Sequence, residues 1–138
     1  MRKRTRAREF ALQILYQLDI TNDKLEDILD NFWQEQEEEQ VDSAIKDFTQ
    51  SIVRGVAQNL KLIDERISQH ATNWQLKRMA VVERNILRLA SFELLFRSDI
   101  PPKVSINEAV DLAKRFSGEE AGKFVNGILD KIKNERKI

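Results

Sequence analysis

The residues best suited to chemistry in this chain are cations and one aromatic ring. Lys3, Arg4, Arg6 and Arg8 crowd the first turns, with Arg2 before them. Arginine grips phosphate bidentately and stacks on bases, so the segment suits nucleic acid. Its plain alternative is a solubilising tail with ordinary surface arginines. Anionic lipid is a weaker third, because the face opposite the arginines reads as core rather than as an exposed apolar surface. Near the other end stands Lys123-Phe124-Val125-Asn126-Gly127. Phe124 falls at the edge of its helix's apolar face, so it is either core or a partly exposed ring for base stacking. Lys123 and Asn126 supply charge and hydrogen bonds, and Gly127 on the outer surface leaves backbone open to close approach. Readers of single-stranded RNA combine cations with an aromatic platform. A protein-binding surface is the third candidate. Tyr16 stands on the polar side of the first helix, and Glu83 and Arg84 lie at the start of the central one. Tyrosine and arginine are enriched at interaction hot spots; surface decoration is the alternative.

Catalytic arrangements are missing. The chain has no cysteine and one histidine, His70, which removes thiol chemistry, disulfides, zinc ribbons and histidine metal clusters. Gly55, Gly118, Gly122 and Gly127 lie in or between predicted helices and form no phosphate loop. Glu37, Glu38, Glu39 and Asp42 lack any ligand geometry for Mg²⁺, and the Gln34–Gln40 run reads as a solvated helix end. Glu93 is the odd carboxylate, projecting into an apolar arc. An isolated buried charge is strongly unfavourable, so Glu93 needs an arginine or loop amides. A catalytic acid is the sharper alternative, and nothing nearby in sequence supports it. No enzyme, cofactor or metal is expected.

The elements that must position these residues are helices. The central one is Val81–Phe96, whose apolar side chains cover well over half its circumference at roughly 100° per residue. A helix apolar on most sides is packed on most sides. A first helix spans 5–19, with Ala7, Phe10, Ala11, Ile14, Leu15 and Leu18 on one face and Arg6, Glu9, Gln13 and Tyr16 on the other. A second covers about 24–38. Asp42 or Ser43 caps a long third helix to about Gln69, in which Gly55 marks close approach of another helix. His70–Met79 is a connector with one short turn at Gln75–Arg78, anchored by Trp74. Pro101-Pro102 ends the central helix region. Ser105 and Glu108 have capping-box spacing for a helix burying Ile106, Ala109, Val110, Ala113 and Phe116. Gly118 stops it, and Ser117 with Glu120 repeats the box for a last helix, followed by a frayed tail. The total is seven helices, counting the short turn, in an all-α domain. The 138 residues carry 23 basic and 23 acidic side chains, so patches of both signs coexist on a neutral chain. The basic start leads into an apolar run cut by Glu9 and Gln13, neither signal peptide nor membrane span; a soluble, cytoplasmic protein is expected.

Three segments, VERNILRLASFEL, SDIPPKVSINEAVDLAKRF and EEAGKFVNGILDKI, resemble the NusB family of transcription antitermination factors, as does the opening RTRAREFALQILYQLD. The resemblance covers essentially the whole chain in order and spacing. It implies the all-helical NusB fold, two three-helix subdomains packed together, in a single RNA-binding domain over residues 1–138. It implies binding of boxA RNA together with NusE, the small-subunit ribosomal protein, and through other Nus factors and RNA polymerase a role in ribosomal RNA synthesis. Similar domains occur fused to RNA cytosine-5 methyltransferases; with no room here for such a domain, the stand-alone factor is expected. Carried over by position, Lys3, Arg4, Arg6 and Arg8 become RNA contacts, with Lys123 and Phe124 beside them. Tyr16 and Val82-Glu83-Arg84 match the side that meets NusE. Thr5 departs from the pattern by interrupting the basic run. Family members differ in whether they form a homodimer. A protein-interaction scaffold with only incidental RNA affinity is the alternative function.

Overall fold

The chain packs its apolar faces around one helix. The structure, a computed structural model, describes residues 2–36, 40–71 and 75–135. The acidic residues 37–39, Trp74 and the last three residues lie outside the described residues. Among the described residues seven α-helices follow one another: α1 Lys3–Thr21, α2 Leu25–Glu35, α3 Ser43–Gln58, α4 Leu60–His70, α5 Val81–Phe96, α6 Pro102–Ser117 and α7 Glu119–Ile132. The 3₁₀ turns Leu76–Arg78 and Lys133–Glu135 precede α5 and follow α7. Among the described residues there is no strand.

Helix α5 is the central rod. Every residue from Asn85 to Leu94 is buried, as its near-continuous apolar circumference requires. It packs against α1, α3, α4, α6 and α7. Helices α1–α3 form one group and α5–α7 the other, with α4 lying against α5 and α7. The α1–α5 pair is antiparallel and clamped by charge at both ends. Arg8 of α1 meets Glu93 near the end of α5, and Asp19 of α1 meets Arg84, Asn85 and Arg88 near its start. Opposite polarity at the two clamps means that reversing either helix would set like charges together, so the pairs specify orientation and register.

The expected single helix over 43–69 is two helices. Asn59 leaves helical geometry, with φ −119° and ψ 21°. Its side-chain amide donates to the Gly55 carbonyl at 2.8 Å, beside its own backbone N–H at 3.2 Å, a local side-chain bond that competes with continued helix. The break changes the phase, so Leu60 is exposed while Ile63 and Ile67 are fully buried. The count of seven therefore comes from this division and not from the short turn. Asp42 caps α3 by accepting from the Ala44 amide at 2.7 Å. Gly55 does mark a close approach: a β-carbon there would overlap the Phe92 ring of α5.

Both expected capping boxes are absent. Pro102 opens α6 three residues before Ser105, using proline's preset φ at the first helical position. Ser105 and Glu108 thus lie inside the helix and serve a buried polar network. Gly118 ends α6 and precedes α7 with φ +95°, a conformation that favours glycine, and Ser117 caps nothing. Phe116 was expected in the core and is exposed. The end of the described chain is tied down: Glu135 accepts from Arg66 at 2.7 Å and lies 2.7 Å from His70 Nε2.

Candidate nucleic-acid interface

Helix α1 begins without a side-chain cap and without an acidic residue in its first turn. Arg2, Lys3 and Arg4 are exposed there. Cations at a helix N-terminus reverse the arrangement worth roughly 0.3–1 kcal/mol per charge at low salt, so α1 gains nothing from them. Lys3 pairs with Asp42 at 3.0 Å. The Arg4 guanidinium lies 4.5 Å from the Phe48 ring centre, and that of Arg6 lies 4.4 Å from Phe10. These stacks present an ordered cationic edge.

Arg8, expected as an RNA contact, is turned inward. Its side chain is 2% exposed and that of Glu93 is 0%. The guanidinium donates twice to the Glu93 carboxylate, both at 2.8 Å, and once to Glu108 at 3.3 Å. Ser105 Oγ donates to Glu93 at 2.8 Å, and Thr5 Oγ1 to Glu108 at 2.6 Å. The partner Glu93 needed is thus an arginine, and Thr5, which interrupts the basic run, anchors the first turn of α1 to α6. A carboxylate so engaged is a structural acceptor.

Phe124 is half-buried. It lines a cavity of about 370 Å³ with Met79, Glu83, Ser117, Glu120 and Ala121. Lys123, Asn126 and Gly127 are exposed, and a β-carbon on Gly127 would meet no atom within 4 Å. The two basic-aromatic candidates do not form one cluster. The start of α1 lies against the end of α5, through Arg8–Glu93, whereas Phe124 shares its cavity with Glu83 at the start of α5. Between them stands Arg115, which sequence reasoning passed over. It donates to Glu9, and Glu9 also accepts from Arg6 at 3.0 Å. Its guanidinium lies 5.3 Å from the exposed Phe116 ring. Lys114-Arg115-Phe116 repeats the cation-before-aromatic order of Lys123-Phe124, which is the signal that could have found it.

On the protein-facing side, Tyr16 is exposed and Ile20, one helical turn on, is exposed beside it. Val82 is half-buried against the core, and Glu83 is half-buried in the Phe124 cavity. Arg84, expected to meet a partner, is used internally. It donates to Asp19 at 2.8 Å and to the Leu76 and Lys77 carbonyls at 3.3 and 3.4 Å, fixing the connector. Burial pushes the Asp19 carboxyl up, but bonds from Arg84 and Asn85 and the charges of Arg88 and Arg84 outweigh it and hold the group below the usual carboxylate range. Among the described residues, no group of histidine, cysteine and carboxylate side chains could hold a metal ion, and no helix is long and apolar enough to cross a membrane.

Comparison with known proteins agrees with this helical order. The NusB family model matches residues 5–134. The transcription antitermination protein NusB of Anaeromyxobacter dehalogenans is 52% identical over 130 residues, covering 94% of this chain and 89% of the relative. That of Oceanobacillus iheyensis is 47% identical over 129 residues, covering 94% and 97%. The solved T. maritima NusB superposes with TM-score 0.87 at 42% identity, over 96% of this chain and 92% of that one. A crystal structure of antitermination factors NusB and NusE in complex with dsRNA gives 0.85 at 32% identity, over 98% of each chain. With a family match spanning nearly its full length and relatives at about half identity, the chain belongs to the NusB family.

Proposed function

We propose that this chain is a transcription antitermination factor that binds boxA RNA together with NusE and so supports ribosomal RNA transcription, reaching other Nus factors and RNA polymerase indirectly. Residues 1–138 work as one RNA-binding unit in the cytoplasm, without catalysis or cofactor. The observation that carries this reading is the exposed cationic start of α1. Lys3 and Arg4 stand where the helix field disfavours them, while Arg8, two turns in at most, is spent on the fold. The relative solved with NusE and RNA supports the same assignment of partners. Lys3, Arg4 and Arg6 neutralise phosphates and release counterions, each phosphate adding about 0.7 to the salt slope on a single strand. Phe124 stacks a base, worth about 1–3 kcal/mol, with Lys123 beside it. NusE, seated against Tyr16 and the Val82–Glu83 segment, supplies a second RNA-binding surface, and joining two weak sites strengthens both.

The test compares boxA with a scrambled strand, with and without NusE. Preference for boxA that rises with NusE is expected. Tight NusE binding with equal affinity for both strands would instead favour the second reading, a protein-interaction scaffold with incidental RNA affinity. The adjacent exposed Tyr16 and Ile20 are the observation on its side.

A further inference from the structure

The last turn of α6 holds chemistry that the fold does not use. Phe116 has 53% of its surface exposed, although its spacing from Ala109 and Ala113 places it in phase with the core stripe. An exposed phenylalanine has no hydrogen bond to offer and stays in water at a cost. Beside it the Arg115 side chain is 41% exposed and over the ring. The Glu9 carboxylate, only 7% exposed, takes one bond from Arg115 of α6 and one from Arg6 of α1. The Glu9 carboxylate therefore holds two guanidinium groups from different helices side by side. The exposed Arg115 guanidinium has five N–H donors in a planar fork, so its bond to Glu9 leaves donors facing solvent for phosphate.

We infer that Arg115 and Phe116 form a second stacking platform for single-stranded RNA, between the cationic start of α1 and Phe124. The inference rests on the RNA-binding reading above and deepens it by giving the strand a path. The strand's phosphates meet Arg6 and Arg115 across the Glu9 fork, one base stacks on Phe116, and the strand continues over Ser117 to Phe124 and Lys123. A ring with a guanidinium over it suits a base, because every base has a π-face and stacking needs no sequence-specific hydrogen bond. The neighbouring arginines add phosphate contacts beside the ring, which an uncharged apolar partner would leave unused.

The experiment titrates the full chain with NusE into fluorescently labelled boxA single strand, by anisotropy at several salt concentrations. Phe116→Ala is expected to weaken binding roughly 5- to 150-fold, the span of one lost base stack, with an unchanged salt slope. Phe116→Trp should bind like the unaltered chain, and Phe116→Leu should be as weak as alanine. Arg115→Gln should flatten the slope by about 0.7, one phosphate on a single strand. If Phe116→Ala stays within about twofold while Phe124→Ala weakens binding by a full stack, this platform is refuted and the RNA reading stands. If leucine restores affinity, or Phe116→Ala weakens NusE capture without RNA, the ring is a protein contact and the inference is wrong. If the unaltered chain binds boxA no better than a scrambled strand, the parent reading falls and takes this one with it.

Discussion

Replacing Arg8 by methionine separates a fold role from an RNA role. The side chain is 2% exposed and makes two 2.8 Å bonds to a carboxylate that is itself fully buried. Removing it takes two donors from Glu93 and leaves the bond from Ser105 in place. Breaking one partner of a buried pair costs about 3–5 kcal/mol, because the other charge stays buried without its counter-ion. Unfolding entropy near the midpoint is about 2.1 cal/mol/K per residue, or about 0.29 kcal/mol/K over 138 residues. The expected fall in Tm is therefore about 10–17 °C by calorimetry or circular dichroism. Arg8→Met with Glu93→Met should recover most of that loss, since exchanging both members of a buried pair for apolar residues is often neutral or stabilising. In that double variant the salt dependence of boxA binding should match the unaltered chain. A single Arg8→Met that keeps its Tm yet loses about one phosphate from the salt slope would show that Arg8 faces RNA, and the inward assignment would be wrong.

Other expectations follow from individual contacts. Gly55→Ala forces a methyl into the Phe92 ring and should destabilise by about 1–3 kcal/mol, with Phe92→Leu recovering part of it in denaturant titrations. Gly127→Ala meets no atom and should stabilise α7 by up to about 1 kcal/mol; a loss of stability would reveal contacts not accounted for. Bonds from Arg97 hold the Asp99 carboxyl down at about 2, against an ordinary 3.8. Its stabilising effect is therefore present above about 3.8 and is lost as pH falls through about 2. Because Asp99 is exposed, the effect should be only about 0.2–1 kcal/mol, and Asp99→Asn should remove that part of the acid-side slope in chemical denaturation.

What was legible in the sequence was whatever depends on neighbours along the chain. The uninterrupted apolar circumference of Val81–Phe96 marked the central helix, Gly118 marked the break before α7, and Gly55 marked a crossing. A carboxylate in an apolar arc demanded a partner, and Glu93 has one. Which partner was not legible, because Arg8 lies 85 positions away and periodicity carries no pairing information. Arg8 does fall four and seven residues before Leu12 and Leu15, on their side of the helix, but its place in a basic run masked that. Ser105 and Glu108 matched a cap pattern that Pro102 pre-empted by starting α6 earlier. The break at Asn59 was hidden because apolar spacing on either side stays at three or four residues. Phe116 kept core spacing on a helix whose last turn has no cover. Arg84 looked like a surface arginine because nothing local shows that Asp19 and two connector carbonyls converge on it.

The central claim is that the exposed cations opening α1 hold RNA phosphates. The most direct test is the salt dependence of boxA affinity, with NusE present, for the unaltered chain and for Arg4→Gln with Arg6→Gln. Two lost phosphate contacts should flatten the log–log slope by about 1.4 without lowering Tm by more than a few degrees. A slope and affinity equal to those of the unaltered chain would contradict it.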